Sequence, residues 1–232
     1  LDPDERGRHL EEVAGEREVE RLHERDVLEV LLRDLRDGGV ADVDLVLGCG
    51  DLPYYYIEYI ISKLDKPTFY VRGNHAHPME YSDELGPRSE PHGGVDLHRR
   101  VVNHHGLLLA GVQGSLRYRT GPYQYSQGEM LAFILEMVPK LMLNRLLYGR
   151  FLDLFVTHAP PEGIHDERDL PHRGIKAFRW LIQVFKPTYH FHGHIHVYRS
   201  DSVVKTQVGH TTVINTFGFR ETYFEIPRRR GL

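Results

Sequence analysis

The chain has a single cysteine in 232 residues, which rules out an internal disulfide framework and fits a reducing, cytoplasmic setting. That residue, Cys49, lies in an apolar run and reads as a small buried side chain rather than a nucleophile. Continuous apolar runs of membrane length are also lacking: the most apolar stretch, residues 130–147, is broken by Glu136, Pro139, Lys140, Asn144 and Arg145, so a transmembrane role is not expected. Neither charge sign dominates. With 29 Lys and Arg against 33 Asp and Glu, the net charge is −4, which speaks against bulk nucleic-acid binding. No secretory leader, internal repeat or G-x-S-x-G elbow is visible, and the first residue is Leu1 rather than methionine.

What is abundant is histidine, at 16 residues. With 41% hydrophobic and 27% charged residues, the rest is ordinary globular material with enough chain for a sizeable core. Residues 1–40 read as a charged lead-in followed by an amphipathic helix over residues 27–35, stopped by Gly38-Gly39. Arg228-Arg229-Arg230 reads as a solvated basic tail. Residues 41–232 read as one domain.

Within it, residues 43–48 predict a buried strand, 54–64 a helix and 68–72 a second strand: a βαβ unit with a parallel pair. Residues 76–94 are expected to form a long loop, 107–112 a strand, and 114–125 a further loop. A helical stretch to about Gly149 should be kinked or split at Pro139. Its apolar residues on most sides read as core packing, with a dimer face or a lid over the cleft as other options; the oligomeric state does not follow from the sequence. Strands are predicted at 152–156 and 188–191, a helix at 175–185, and an antiparallel finish near 203–208, 212–217 and 222–226. The sum is a layered α/β sandwich of mixed sheets flanked by helices.

Against this pattern the polar motifs fall at strand ends. Asp51 follows the first strand, Asn74 and His75 the second, His158 a third and His194 a fourth. One carboxylate, one amide oxygen and several imidazoles form a donor set suited to a pair of borderline divalent cations. A carboxylate can bridge two ions, so Asp51 is the natural bridge. In an extended segment His194 and His196 would share a face about 6–7 Å apart and flank the pair. His190 and His192 have the same parity, as supporting or buried hydrogen-bonded histidines. The loop Gly114–Arg119 carries Arg117, whose guanidinium suits a phosphate oxygen or simply meets solvent.

At this point the chain resembles the calcineurin-like metallophosphoesterase superfamily, with motifs D-x-H, G-D, G-N-H-D/E, a lone His after a strand, and G-H-x-H. The resemblance covers about residues 41–226, and the stretches GCGDLPYYY and HAPPEGIHDERDLPHRG look like a subgroup. It implies two divalent metals (Mn, Fe or Zn), with Asp51 bridging, Asn74, His158 and His194 on one ion, and His196 on the other. His75 looks like the catalytic histidine that assists the leaving group or steadies phosphoryl oxygens beside Asn74. Two departures stand out. No D-x-H precedes Asp51, so either the first strand lies upstream of Leu1 or one metal keeps only Asp51 and His196. Ala76 stands where an acidic residue usually follows Asn-His, leaving Glu80 or Asp83 as substitutes.

The implied reaction is hydrolysis of a small phosphomonoester or phosphodiester by a water activated between two metals, with His75 as general acid. Two alternatives remain: a nuclease or nucleotide phosphodiesterase on the same fold, which would want a basic, aromatic-lined groove, and a catalytically weak or inactive domain retained for binding.

Overall fold

The computed structural model describes residues 43–82, 86–199 and 202–224. The expected lead-in and helix of residues 1–40, Asp83 and the Arg228–Arg230 tail lie outside the described residues. Two sheets organise the rest. The smaller has three parallel strands in the order β1 (Val46–Gly48), β2 (Thr68–Tyr70), β5 (Gly94–Asp96), with helix α1 (Tyr54–Leu64) connecting the first two. The larger has six strands, ordered β12 (Lys205–Val208), β13 (Thr211–Asn215), β11 (Tyr189–His192), β10 (Leu154–Thr157), β7 (Leu107–Val112), β6 (Arg100–His104). Its four central strands are parallel and its two edge strands antiparallel.

Strand alternation explains the layering. On β7, Leu107 and Leu109 pack with Phe69, Val71, Leu97 and Phe191 between the two sheets. The intervening Leu108, Ala110 and Val112 point the other way, onto α2 (Gln127–Tyr148) and α3 (Lys176–Phe185), where Met130, Ile134, Leu141, Phe178 and Leu181 bury them. A sheet buried on both faces reads as a continuous apolar run, as the LLLAGV sequence does. The α/β sandwich of mixed sheets is therefore the fold.

Several sequence expectations need correction. Residues 76–94 are not all loop: β3 (Glu80–Ser82) and β4 (Gly86–Arg88) pair antiparallel, and β5 begins at Gly94. The only apolar side chain of β5, Val95, is 37% exposed, so no hydrophobic pattern marks the strand. The 114–125 segment contains β8 (Ser115–Leu116) and β9 (Gln124–Tyr125), two short parallel strands. The edge strand β6 had no signal strong enough to predict it. Helix α2 is one continuous element of 22 residues with Pro139 inside it. Pro139 lies on the outer, exposed side, where a carbonyl deprived of its N–H partner can be hydrated rather than left unpaired in the core. At the end of the chain β12 and β13 are antiparallel, but β13 joins β11 in parallel. Residues 222–224 form no strand, and 225–226 lie outside the described residues.

Helix ends show how loops are anchored. Ser126 and Glu129 form a reciprocal capping box on α2. Helix α1 starts after Pro53, which has no capping side chain, and the Glu80 carboxylate accepts the Tyr54 N–H at 2.9 and 3.0 Å instead. Glu80 thus serves a helix N-terminus, where a negative charge is favoured, rather than orienting His75.

Candidate metal centre

The four strand-end residues converge. Asp51 and Asn74 leave the parallel pair β1 and β2, and His158 and His194 leave the parallel pair β10 and β11, so the smaller sheet supplies oxygens and the larger supplies imidazoles. The Nε2 of His158 lies 2.8 Å from the Asn74 Oδ1 and 3.3 Å from the Asp51 Oδ2. The His194 ring is 4.7 Å from that of His158 between centroids. One donor atom from each of Asp51, His158 and His194 falls within 4.8 Å of the others, a spacing compatible with a shared cation.

Two close approaches hold the cluster. At Gly50, with φ +103°, an added Cβ would lie 2.2 Å from the His158 Nδ1; at Gly73 it would lie 1.9 Å from the Asp51 Oδ1. The chain can pass so near the ligands only as glycine. Asp51 (φ 55°) and His194 (φ 68°) themselves occupy the left-handed region. Such backbone costs roughly 1–3 kcal/mol and is concentrated at functional sites.

Hydrogen bonds settle the tautomers. The Nδ1 of His158 is 2.9 Å from the Cys49 carbonyl, which can only accept, so Nδ1 carries the proton in the neutral ring. Its Nε2 then aims a lone pair at two oxygens that are themselves acceptors, an arrangement satisfied by a cation or by a second proton on the ring. His194 is the mirror case: its Nε2 donates to the Pro171 carbonyl at 2.8 Å, leaving Nδ1 as the donor atom for a metal. The donor set fits a borderline divalent cation.

Residues 22–198 match the calcineurin-like phosphoesterase family. The chain belongs to that family. The family match suggests metal-dependent phosphoester hydrolysis, with the residues above as candidate metal ligands. The crystal structure of TT1561 of Thermus thermophilus shares the fold, with a TM-score of 0.51 and 15% identity over 84% of each chain. A further crystal structure is 20% identical, with a TM-score of 0.47 over 71% of this chain; this chain spans 63% of that protein's length. No curated protein matches.

The electrostatics of the cluster follow from burial and from the Asp51–His158 contact. Burial pushes the Asp51 carboxyl up, but the charge and hydrogen bond of His158, together with His75, outweigh it and hold the group well below the usual carboxylate range. Burial opposes charge on His158, yet Asp51 and the Cys49 carbonyl raise its pKa overall. Burial takes His194 down to about 3, so it stays a neutral donor. Cys49 is inert, its thiol pushed up to about 11 by burial.

The other sequence-nominated residues are placed less uniformly. His75 donates its backbone N–H to the Asp51 Oδ1 at 2.9 Å, with its ring exposed. The extended i, i+2 relation assumed for His194 and His196 does not hold, because left-handed His194 turns the chain. His196 instead bonds the Tyr198 hydroxyl at 2.9 Å and lies on the Phe217 ring; it is not in the cluster. Arg117 pairs with Glu129 at 3.0 Å and reaches the Gln124 carbonyl, so its guanidinium is engaged on the capping box of α2. His190 and His192 are buried supports: His190 bonds Thr157 at 2.8 Å, and His192 bonds His165 at 2.9 Å.

Sequence reasoning missed Tyr118 and Pro171. The Tyr118 hydroxyl accepts from the Asn74 Nδ2 at 3.1 Å, which turns the amide oxygen toward His158. A tyrosine in the phosphate-loop candidate was the only signal for it. Pro171 acts through its carbonyl, for which sequence carries no signal.

Proposed function

We propose that the protein hydrolyses a small phosphomonoester or phosphodiester with a divalent cation held by Asp51, Asn74, His158 and His194. The observation that carries this reading is the His158 Nε2, 1% exposed as a residue and facing two acceptor oxygens with its other nitrogen already donating. When bound, the cation supplies charge neutralisation at the phosphoryl oxygens and a water acidified enough to attack at neutral pH.

The chain's own residues do the rest. Cys49 and Pro171 fix the two imidazoles through backbone carbonyls. Tyr118 holds the Asn74 amide so that its oxygen faces the site. His75, beside Asp51 on an exposed loop, is placed to steady a phosphoryl oxygen or pass a proton to the leaving oxygen. Mn, Fe or Zn all suit this donor set. His196 stands as ligand of a second ion only if its ring leaves Tyr198, so the first position is the one the described residues complete.

A second reading, a binding domain with weak or no turnover, is favoured by one pair of observations: Ala76 follows His75, and Glu80 is committed to α1. Metal analysis with hydrolysis of p-nitrophenyl phosphate and bis-p-nitrophenyl phosphate separates the two. We expect Mn-dependent turnover abolished by chelation, and a loss of at least ~100-fold in Asp51→Asn. Full activity in Asp51→Asn sinks the assignment; stoichiometric metal without turnover establishes the binding domain.

A further inference from the structure

His194 sits at the apex of a tight turn. The Ile195 N–H donates back to the Gly193 carbonyl at 2.8 Å, and His194 between them has φ 68°, the sense of γ-turn that is rare and strained. Backbone of this kind persists only where its surroundings over-determine it. The Gly193 N–H donates to the His158 carbonyl at 3.0 Å, and the Asn215 Nδ2 to the Ile195 carbonyl at 2.9 Å. A further brace comes from two imidazoles outside the cation ligand set.

The Nδ1 of His192 lies 2.9 Å from the Gly193 carbonyl. That oxygen only accepts, so in the neutral ring Nδ1 carries the proton and Nε2 a lone pair. The His165 Nδ1, 2.9 Å from that Nε2, is therefore its donor. His165 then keeps a lone pair on its own Nε2, and the Thr206 hydroxyl donates to it at 2.8 Å. Three donations run one way, from the edge strand β12 through His165 and His192 to the turn. His192 is wholly buried. Without His165 its Nε2 either goes unpaired, or takes the proton and sets the Nδ1 lone pair against the Gly193 oxygen. His165 is itself left-handed, with φ 59°, so strained backbone stands at both ends of this pair of rings.

We propose that His165 is a positioning residue for His194, fixing the His192 tautomer that clamps the Gly193 carbonyl and, with it, the turn that carries the ligand ring. The proposal rests on the reading of His194 as a cation ligand, but its first test needs no cation.

That test uses the full chain, free of metal. In long-range proton–nitrogen spectra of the histidine rings we expect His165 and His192 protonated at Nδ1 and His194 at Nε2. His165→Leu, which offers no donor, should shift or broaden the His194 ring signals. His165→Asn should restore them, since its Nδ2 stands at the same remove from the backbone as the imidazole Nδ1. Thr206→Val, a near-isosteric change on an edge strand, removes the first donor and should move them the same way as His165→Leu. Cobalt(II) titration follows. Its affinity should fall about tenfold in His165→Leu, with an altered visible absorption band, and stay within threefold of the parent chain in His165→Asn. His98→Gln, which removes a half-buried ring of another cluster, should leave both the band and the His194 signals alone. A parent chain with His192 protonated at Nε2 overturns the proposal, as do His194 signals or a cobalt band unchanged by His165→Leu. A parent chain that binds no cobalt sinks the hydrolytic reading instead, and the metal-free ring signals still decide whether His165 positions His194.

Discussion

Gly73→Ala tests whether the Asp51 carboxylate sets the centre. The added methyl would sit 1.9 Å from the Asp51 Oδ1, 2.4 Å from its Cγ and 2.5 Å from its backbone nitrogen. Ordinary contact begins near 3.4 Å, so the carboxylate must withdraw by about 1.5 Å, and the backbone nitrogen cannot withdraw by rotation of a side chain. The movement breaks the bond from the His75 N–H, which is 2.9 Å long. Overpacking costs roughly 1–3 kcal/mol, and loss of a hydrogen bond to a charged group about 1.5–3 kcal/mol. The two overlap, so we expect the metal-free variant to be about 2–4 kcal/mol less stable in urea.

The functional loss should exceed the structural one. A donor displaced by more than 1 Å typically costs on the order of 100-fold in rate, and Asp51 is the only carboxylate of the cluster. Calorimetric Mn titration of the folded variant should show weakened binding, with hydrolysis falling in parallel. Gly209→Ala is the control, since its φ is also positive (+59°) but nothing lies within 4 Å of the added Cβ; it should lose about 1 kcal/mol of stability and no Mn affinity. Mn binding by Gly73→Ala within threefold of the parent chain would refute the assignment of Asp51 as the organising ligand.

Two further outcomes are expected. Tyr118→Phe removes the acceptor of the Asn74 amide, a side chain only 3% exposed as a residue; Mn affinity and kcat should fall about 10- to 100-fold with KM unchanged, and parameters within twofold of the parent chain would disprove the role. Burial takes His98, stacked on Tyr125 and met edge-on by Phe133, down to about 4, whereas the unfolded chain protonates it near 6.5. Its contribution is therefore complete above pH 6.5 and lost as the pH falls toward 4, amounting to about 2 kcal/mol for this half-buried ring. Urea midpoints at pH 7 and 4.5 should fall less in His98→Gln than in the parent chain, and equal slopes would remove His98 from the account.

How far the sequence carried the structure depended on whether burial left a pattern. The strand at 107–112 and the helices at 54–64 and 175–185 were legible because two-sided burial or 3.6-residue periodicity selects their apolar residues. β5 was not, since its neighbours hold it while Val95 faces partly outward. The candidate ligands at Asp51, Asn74, His158 and His194 were legible because each follows an apolar strand, and parallel strands deliver their carboxyl ends to one side of a sheet. The partners of Arg117 and Glu80 were not legible for a shared reason: each charge meets a helix terminus that no local pattern announces, Glu129 for one and the Tyr54 N–H for the other.

The deepest gap concerns His194. Counting alternate residues along HFHGHIHVY assumes an extended chain, but Gly193 is followed by a left-handed residue, and the count ends there. The turn swings the His194 ring to the Pro171 carbonyl and against the His172 ring, so the 165–174 segment forms a wall of the site. It also gives the two ligand imidazoles opposite tautomers, one protonated at Nδ1 by its bond to Cys49 and the other at Nε2 by its bond to Pro171. Both choices are made by main-chain oxygens, which every residue possesses. Side-chain identity thus determines which atoms can bind a cation, while the backbone determines which of them hold a lone pair toward it.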